Sequence, residues 1–175
     1  MRSVFLSLSI DPSFVTSKKI HALLNYWSAR RQGTDWPMRD SIIPWEITPY
    51  LPNIVISEIN HKSHQVYYRL VGTKVVEMSR FDFTGRWLHE MSPASEEPGV
   101  WEQAYAMMIE TASPVYGQTG IPIADGSEIL VREEFGMFPL QVPKKDVFQC
   151  IALEDYGPLM HFNPDDLRAM RPAKR

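Results

Sequence analysis

Two short stretches decide the reading of this chain: Tyr68-Arg69-Leu70-Val71-Gly72-Thr73, and a little further on Asp82-Phe83-Thr84-Gly85-Arg86. The first is rich in aromatic and branched residues and ends on glycine, the pattern of a strand that must stop and turn sharply. The second is a turn in which Gly85 supplies a positive φ that other residues resist. Along the strand Val66, Tyr68 and Leu70 are expected on one face, with Tyr67, Arg69 and Val71 on the other. Both faces carry apolar residues, so both are expected to be covered. Arg69 and Arg86 have carboxylates nearby in Glu77, Asp82 and Glu90, and are expected to brace the turn by pairing with them.

Upstream, residues 54–59 pair with 65–71 as a hairpin across the polar link 60–64. Before it lies the clearest helix, 17–32, in which Ile20, Leu23, Leu24 and Trp27 form one apolar stripe. Ser17 caps its start, Gly33 suits its left-handed end, and Arg30 and Arg31 stand in its last turn. Residues 36–52 are dense in proline and read as a connection holding a short helix over 45–51, with Trp36 and Trp45 packed beneath it. Residues 4–10 read as a strand or an unstructured start and not as a secretory leader.

Downstream, 73–79 and 81–91 read as short helices or turns, and a longer helix lies between Pro98 and Ser113. Three strands follow: 115–123, then 128–140 after a turn at Asp125-Gly126, then 147–153 after a turn at 143–145. Gly136 is the candidate bulge in the second of them. The order divides the chain into an N-terminal extension (1–16), a helical segment (17–52), a core (53–156) and a basic, partly helical tail (157–175). Two strands, a helical crossover and three strands give an α+β fold: a five-stranded antiparallel sheet with helices on one face, preceded by the amphipathic helix. The crossover is expected to leave a space against the curved sheet, the natural seat of a small ligand.

The composition is that of an ordinary globular domain, and the net charge of −3 gives no reason to expect nucleic acid as a partner. No apolar run is long enough for a membrane helix, and the single cysteine, Cys150, excludes an intrachain disulfide. A cytoplasmic location is the expectation that follows.

Catalytic sets are weak. Phosphate-binding glycine loops and nucleophile elbows are absent. His61-x-x-His64 falls on the hairpin link with no third ligand beside it, so no metal site is assigned, and His89 reads as a helix-surface residue. Glu133 and Glu134 are neighbours on a strand and point to opposite faces, so they cannot act as a facing acid/base pair. One of them must point inward, as a structural partner of Arg69 or Arg132 or as a polar anchor in a pocket. Cys150, on the last strand, reads as a buried and inert thiol. The pocket candidates are Tyr68, Leu70, Met78, Leu88, Trp101, Tyr105, Met108, Ile109, Val131 and Phe148.

Taken in order, Tyr26-Trp27, Pro37-x-Arg39, Pro44-Trp45-Glu46-Ile47, Leu51-Pro52, the strand ending Arg69-Leu70-Val71-Gly72-Thr73 and the turn Asp82-x-Thr84-Gly85-Arg86 resemble a bacterial family of small stand-alone PAS domains. The resemblance spans about residues 23–155 and implies a PAS fold used for sensing and association. Where that family tends to have glycine shortly before the turn, this chain has Arg80. The resemblance supplies no ligand and leaves the cofactor unknown. Flavin photosensors of this fold carry a reactive cysteine on a crossover helix, and haem sensors take a histidine from the long helix; this chain has neither, so both cofactors are disfavoured.

The expectation is therefore a sensory domain without catalysis of its own that binds a small apolar or amphipathic molecule, a protein partner, or both. A ligand-free adapter that forms a homodimer through Ile20, Leu23, Leu24 and Trp27 is the alternative. No kinase, cyclase or DNA-binding segment fits in the remaining residues, so output is expected to pass through a partner. An enzyme of the cone-shaped α+β kind would need an acid or base inside the cone, and the sequence places none.

Overall fold

The computed structural model describes residues 6–91, 98–124, 127–144 and 146–161. The turn at Asp125-Gly126, Lys145 of the 143–145 turn, and the tail beyond His161 lie outside the described residues.

Helix α1 (Lys18–Ala29) begins where the sequence sets its cap: the Ser17 hydroxyl accepts the Ile20 N–H. Its start is held further by Glu134, whose carboxylate accepts the Thr16 and Ser17 N–H groups at 2.8 and 2.7 Å. These donors have no partner within the helix, so a carboxylate there satisfies them and also suits the helix dipole. Gln32 and Gly33 both take positive φ where the chain leaves the helix. Arg30 and Arg31 fall just past its last turn; the first pairs with Glu46 and the second lies over the Trp27 ring. Ile20, Leu23 and Trp27 are buried against the sheet, each contributing roughly 1.5–3 kcal/mol by leaving water. The stripe expected to form a dimer is thus spent within the chain, with only Leu24 half-buried.

The sheet contains strands β1 (Leu6–Ser9), β2 (Ile54–Asn60), β3 (Val66–Val71), β4 (Val115–Pro122), β5 (Ile129–Leu140) and β6 (Val147–His161). All neighbours are antiparallel, in the order β1-β4-β5-β6-β2-β3. The sixth strand, one more than expected, is β1, which pairs with β4. β6 runs on to His161, past the end of its apolar pattern at Leu153, because β5 continues to pair with it. Between the hairpin and β4 the chain forms α2 (Thr73–Ser79), α3 (Leu88–Met91) and α4 (Val100–Thr111).

Two apolar layers sandwich this sheet. On the inner face Tyr105 and Met108 of α4 join Val55, Tyr68, Phe135, Phe148 and their neighbours on the sheet. On the outer face α1 and the 36–52 connection cover Ile54, Ile56, Tyr116, Phe138, Ile151 and Leu153. Gly136 lies under α1 and is no bulge: a Cβ there would stand 2.6 Å from Ile20 Cγ2, so glycine lets the helix approach. The register of β5 shifts instead between Val131 and Glu133, where Gly157 and Pro158 of β6 face the single residue Arg132.

The second irregularity changes the deciding strand. Ile56 pairs with Leu70 but Ser57 pairs with Tyr68, which leaves Arg69 as an extra residue on β3. Strict alternation fails at that point. Val66 and Tyr68 face inward as expected, Leu70 is turned to the outer face, and Val71 packs inward. In place of a short helix over 45–51, the connection contains three 3-10 turns: Arg39–Ser41, Pro44–Glu46 and Thr48–Asn53. Prolines at 44, 49 and 52 remove the N–H donors that a continuous helix requires.

Candidate functional site

The bulge at Arg69 and the 3-10 connection together make a cavity of about 480 Å³ on the outer face. Its floor is the part of the sheet that α1 leaves uncovered: Ile54, Ile56, Leu70 and Ile151. Its wall is the connection, through Ile42, Pro44, Ile47, Leu51 and Pro52. Arg39, Thr48 and Thr73 bring the polar side chains, so the lining is mainly hydrocarbon, as small-molecule sites usually are.

Residues of the two opening stretches hold this cavity in shape. Gly72 keeps an ordinary negative φ of −66°, so its role is one of space. A Cβ there would meet the backbone oxygens of Leu51 and Pro52, the former at 2.6 Å, so only glycine lets the end of β3 press against the connection. Gly85 takes φ +81°, as a positive-φ turn requires. The turn also closes onto the strand: the Gly85 N–H donates to Tyr68 O at 2.8 Å, and the Tyr68 N–H donates to Arg86 O at 2.9 Å. Asp82 caps the turn by accepting the Thr84 N–H, which holds its carboxyl below the usual range.

The expected arginine pairs form differently. Arg69 joins Glu58 across the hairpin at 3.4 Å. Glu77 is taken by Lys74, and Glu90 accepts the Trp87 N–H. Arg86 forms no ion pair among the described residues. Arg80 takes the left-handed position that ends α2, with φ +59°, and its guanidinium donates to Ile123 O.

The wall hangs from α1. The Tyr26 hydroxyl donates to Glu46 at 2.6 Å and accepts the Ile43 N–H at 2.9 Å, while Arg30 pairs with the same Glu46. Burial and Glu46 raise the Tyr26 phenol, and Tyr26 and Arg30 hold the Glu46 carboxyl down. At the other end the Arg39 N–H donates to Gln141 O at 2.7 Å. Trp36 packs on Phe148 as expected, with its indole N–H on Ala112 O. Trp45 does not pack: it is 77% exposed, because its one-turn 3-10 helix turns it outward between the inward-facing Ile42 and Ile47.

Most of the other pocket candidates lie on the opposite face of the sheet. Tyr68, Leu88, Tyr105, Met108 and Phe148 are buried in the inner layer, with Trp101 and Ile109 packed against it. Met78 and Val131 are half-buried on α2 and β5. The structure thus brings together the inner-layer candidates as packed core and sets Leu70 apart in the outer cavity. Cys150 is buried, and burial pushes its thiol up to about 12.

The neighbouring glutamates do diverge. Glu134 faces outward to the α1 cap, where Arg132 joins it at 3.0 Å. Glu133 is 2% exposed on the inner side beside Glu154, whose carboxyl accepts the Tyr156 hydroxyl at 2.5 Å. Burial above all, then the neighbouring Glu154, raises Glu133 well above the carboxyl range; burial also raises Glu154, against the hydroxyl that stabilises its charge. Glu133 Oε1 has no hydrogen-bond partner among the described residues. The sequence reading missed Glu154 and Tyr156 because it closed the last strand at Leu153; alternation continued from Cys150 and Ala152 would have placed Glu154 inward.

His61 lies on the hairpin link against Phe148, and His89 is exposed beside Trp87. No cluster of three metal-ligating side chains occurs among the described residues. None of the described helices is long and apolar enough to cross a membrane.

No curated protein matches the chain. Residues 15–151 match the family described as PAS domain. That match covers most of the sequence and agrees with the antiparallel sheet and helical crossover, so the chain belongs to the PAS domain family of sensory and signalling domains.

Proposed function

We propose that this chain is a sensory domain with no catalysis of its own, which takes a small apolar or amphipathic molecule into the outer-face cavity and signals through a protein partner. The observation that carries this reading is the cavity itself, about 480 Å³ of mainly hydrocarbon lining between the sheet and a wall of 3-10 turns. Pockets of this size receive single small molecules. The Tyr26 and Arg30 contacts provide a route outward, since any movement of the wall is felt at α1.

A second reading, a ligand-free homodimeric adapter, is favoured by the surface around the cavity. Trp45, next in the chain to the lining residue Pro44, is 77% exposed and Leu70 is 46% exposed at the cavity floor, apolar surface of the kind that another protein covers. Native mass spectrometry of the purified protein separates the two. A bound small molecule that is absent from Leu70→Trp, whose larger side chain narrows the cavity at its floor, supports the sensor. A dimer with no bound molecule, which Trp45→Asp converts to monomer, replaces it with the adapter.

A further inference from the structure

The cavity also carries a charge pattern. Arg30, Arg69 and Arg132 each pair with a carboxylate. Arg39, half-buried at the cavity, forms no ion pair among the described residues. Among the described residues its one side-chain hydrogen bond is from Nη1 to the Ile42 carbonyl at 3.3 Å. A guanidinium has five N–H donors in a fork that matches a carboxylate, so most of its capacity is unspent. The Thr48 hydroxyl is already bonded to Trp45 O. The sheet floor of the cavity is hydrocarbon, from Ile54, Ile56, Leu70 and Ile151, with Thr73 at the end of β3 as the further polar side chain.

We propose that the ligand of this cavity is an amphipathic acid, with its aliphatic body on the Ile54–Ile56–Leu70–Ile151 floor and its carboxylate paired with Arg39. This rests on the reading of the cavity as a small-molecule site and adds the sign of the head group. A neutral or cationic head would leave the guanidinium half-desolvated and unpaired, whereas a carboxylate satisfies it through two parallel N–H···O bonds. The backbone of Arg39 is anchored to Gln141 O and its Nη1 bonds Ile42 O, so the guanidinium is held at the wall from both ends.

The test is calorimetric titration of the full chain with decanoate and decylammonium below their micellar concentrations and decanol below its solubility limit, with amide shifts at Ile56 and Gly72 locating the site. Decanoate is expected to bind at least about tenfold more tightly than decanol. Arg39→Gln should abolish that preference while decanol still binds, and Arg39→Lys should keep part of it. Leu70→Trp should block both probes. If decanol binds wild type as tightly as decanoate and Leu70→Trp still blocks it, the cavity stands and the acid is wrong. If decanoate keeps its advantage in Arg39→Gln, the head lies elsewhere and the proposal fails. If no probe moves the Ile56 and Gly72 amides, both the acid and the small-molecule site fall.

Discussion

Gly72 and Gly85 share one signature and are required for different reasons. Gly85 takes φ +81° with nothing nearer to an added Cβ than the Tyr67 hydroxyl at 3.6 Å. An alanine there would add only the cost of a left-handed L residue, about 1–2 kcal/mol. At Gly72 the obstruction is backbone on both Leu51 and Pro52, which cannot rotate aside. Gly72→Ala should therefore lower unfolding stability by about 2–4 kcal/mol, read as a lower urea midpoint, and should weaken any ligand of the cavity. An unchanged midpoint would show that the wall is free to move away from β3. The sequence shows that a glycine ends this strand; what it touches depends on where the connection runs.

The connection of residues 36–52 is the element that makes the cavity, and it is the one least legible in the sequence. A proline-rich chain of 3-10 turns has no period, so neither its path nor the outward turn of Trp45 could be read from spacing. α1 and the hairpin, by contrast, were legible because their apolar residues repeat, and Ser17 marks a helix start by its own chemistry. Alternation misled at one position: the bulge at Arg69 moved Leu70 to the outer face, and a single inserted residue leaves no trace in a strand of six. Because the wall is tied to α1 by the Tyr26 hydroxyl, Tyr26→Phe should cost about 1 kcal/mol and speed hydrogen exchange at the Ile43 amide. Exchange at Ile43 as slow as in wild type would mean that the tie does not hold the wall.

For the whole molecule, burial of the Glu133–Glu154 pair makes stability depend on pH. Glu133 titrates above its ordinary value of 4.5 in the folded chain, so the native state holds more protons than the unfolded one. The contribution of this pair is then greatest below 4.5 and declines as pH rises toward the raised folded value. Glu133→Gln cannot ionise and should flatten this decline, gaining about 1–3 kcal/mol near pH 8 and little near pH 4, as thermal melts across that range would record. A parallel shift at all pH values would point to altered packing instead. The six-stranded sheet must also end somewhere, and an open rim of N–H and C=O groups invites another chain to add itself on. On one rim β1 covers Tyr116–Thr119 of β4 with four described residues; on the other, Gly85 and Arg86 already occupy the Tyr68 backbone groups. The turn between α2 and α3 thus doubles as a selvedge, binding off the weave so that crowded copies do not knit into a continuous fabric.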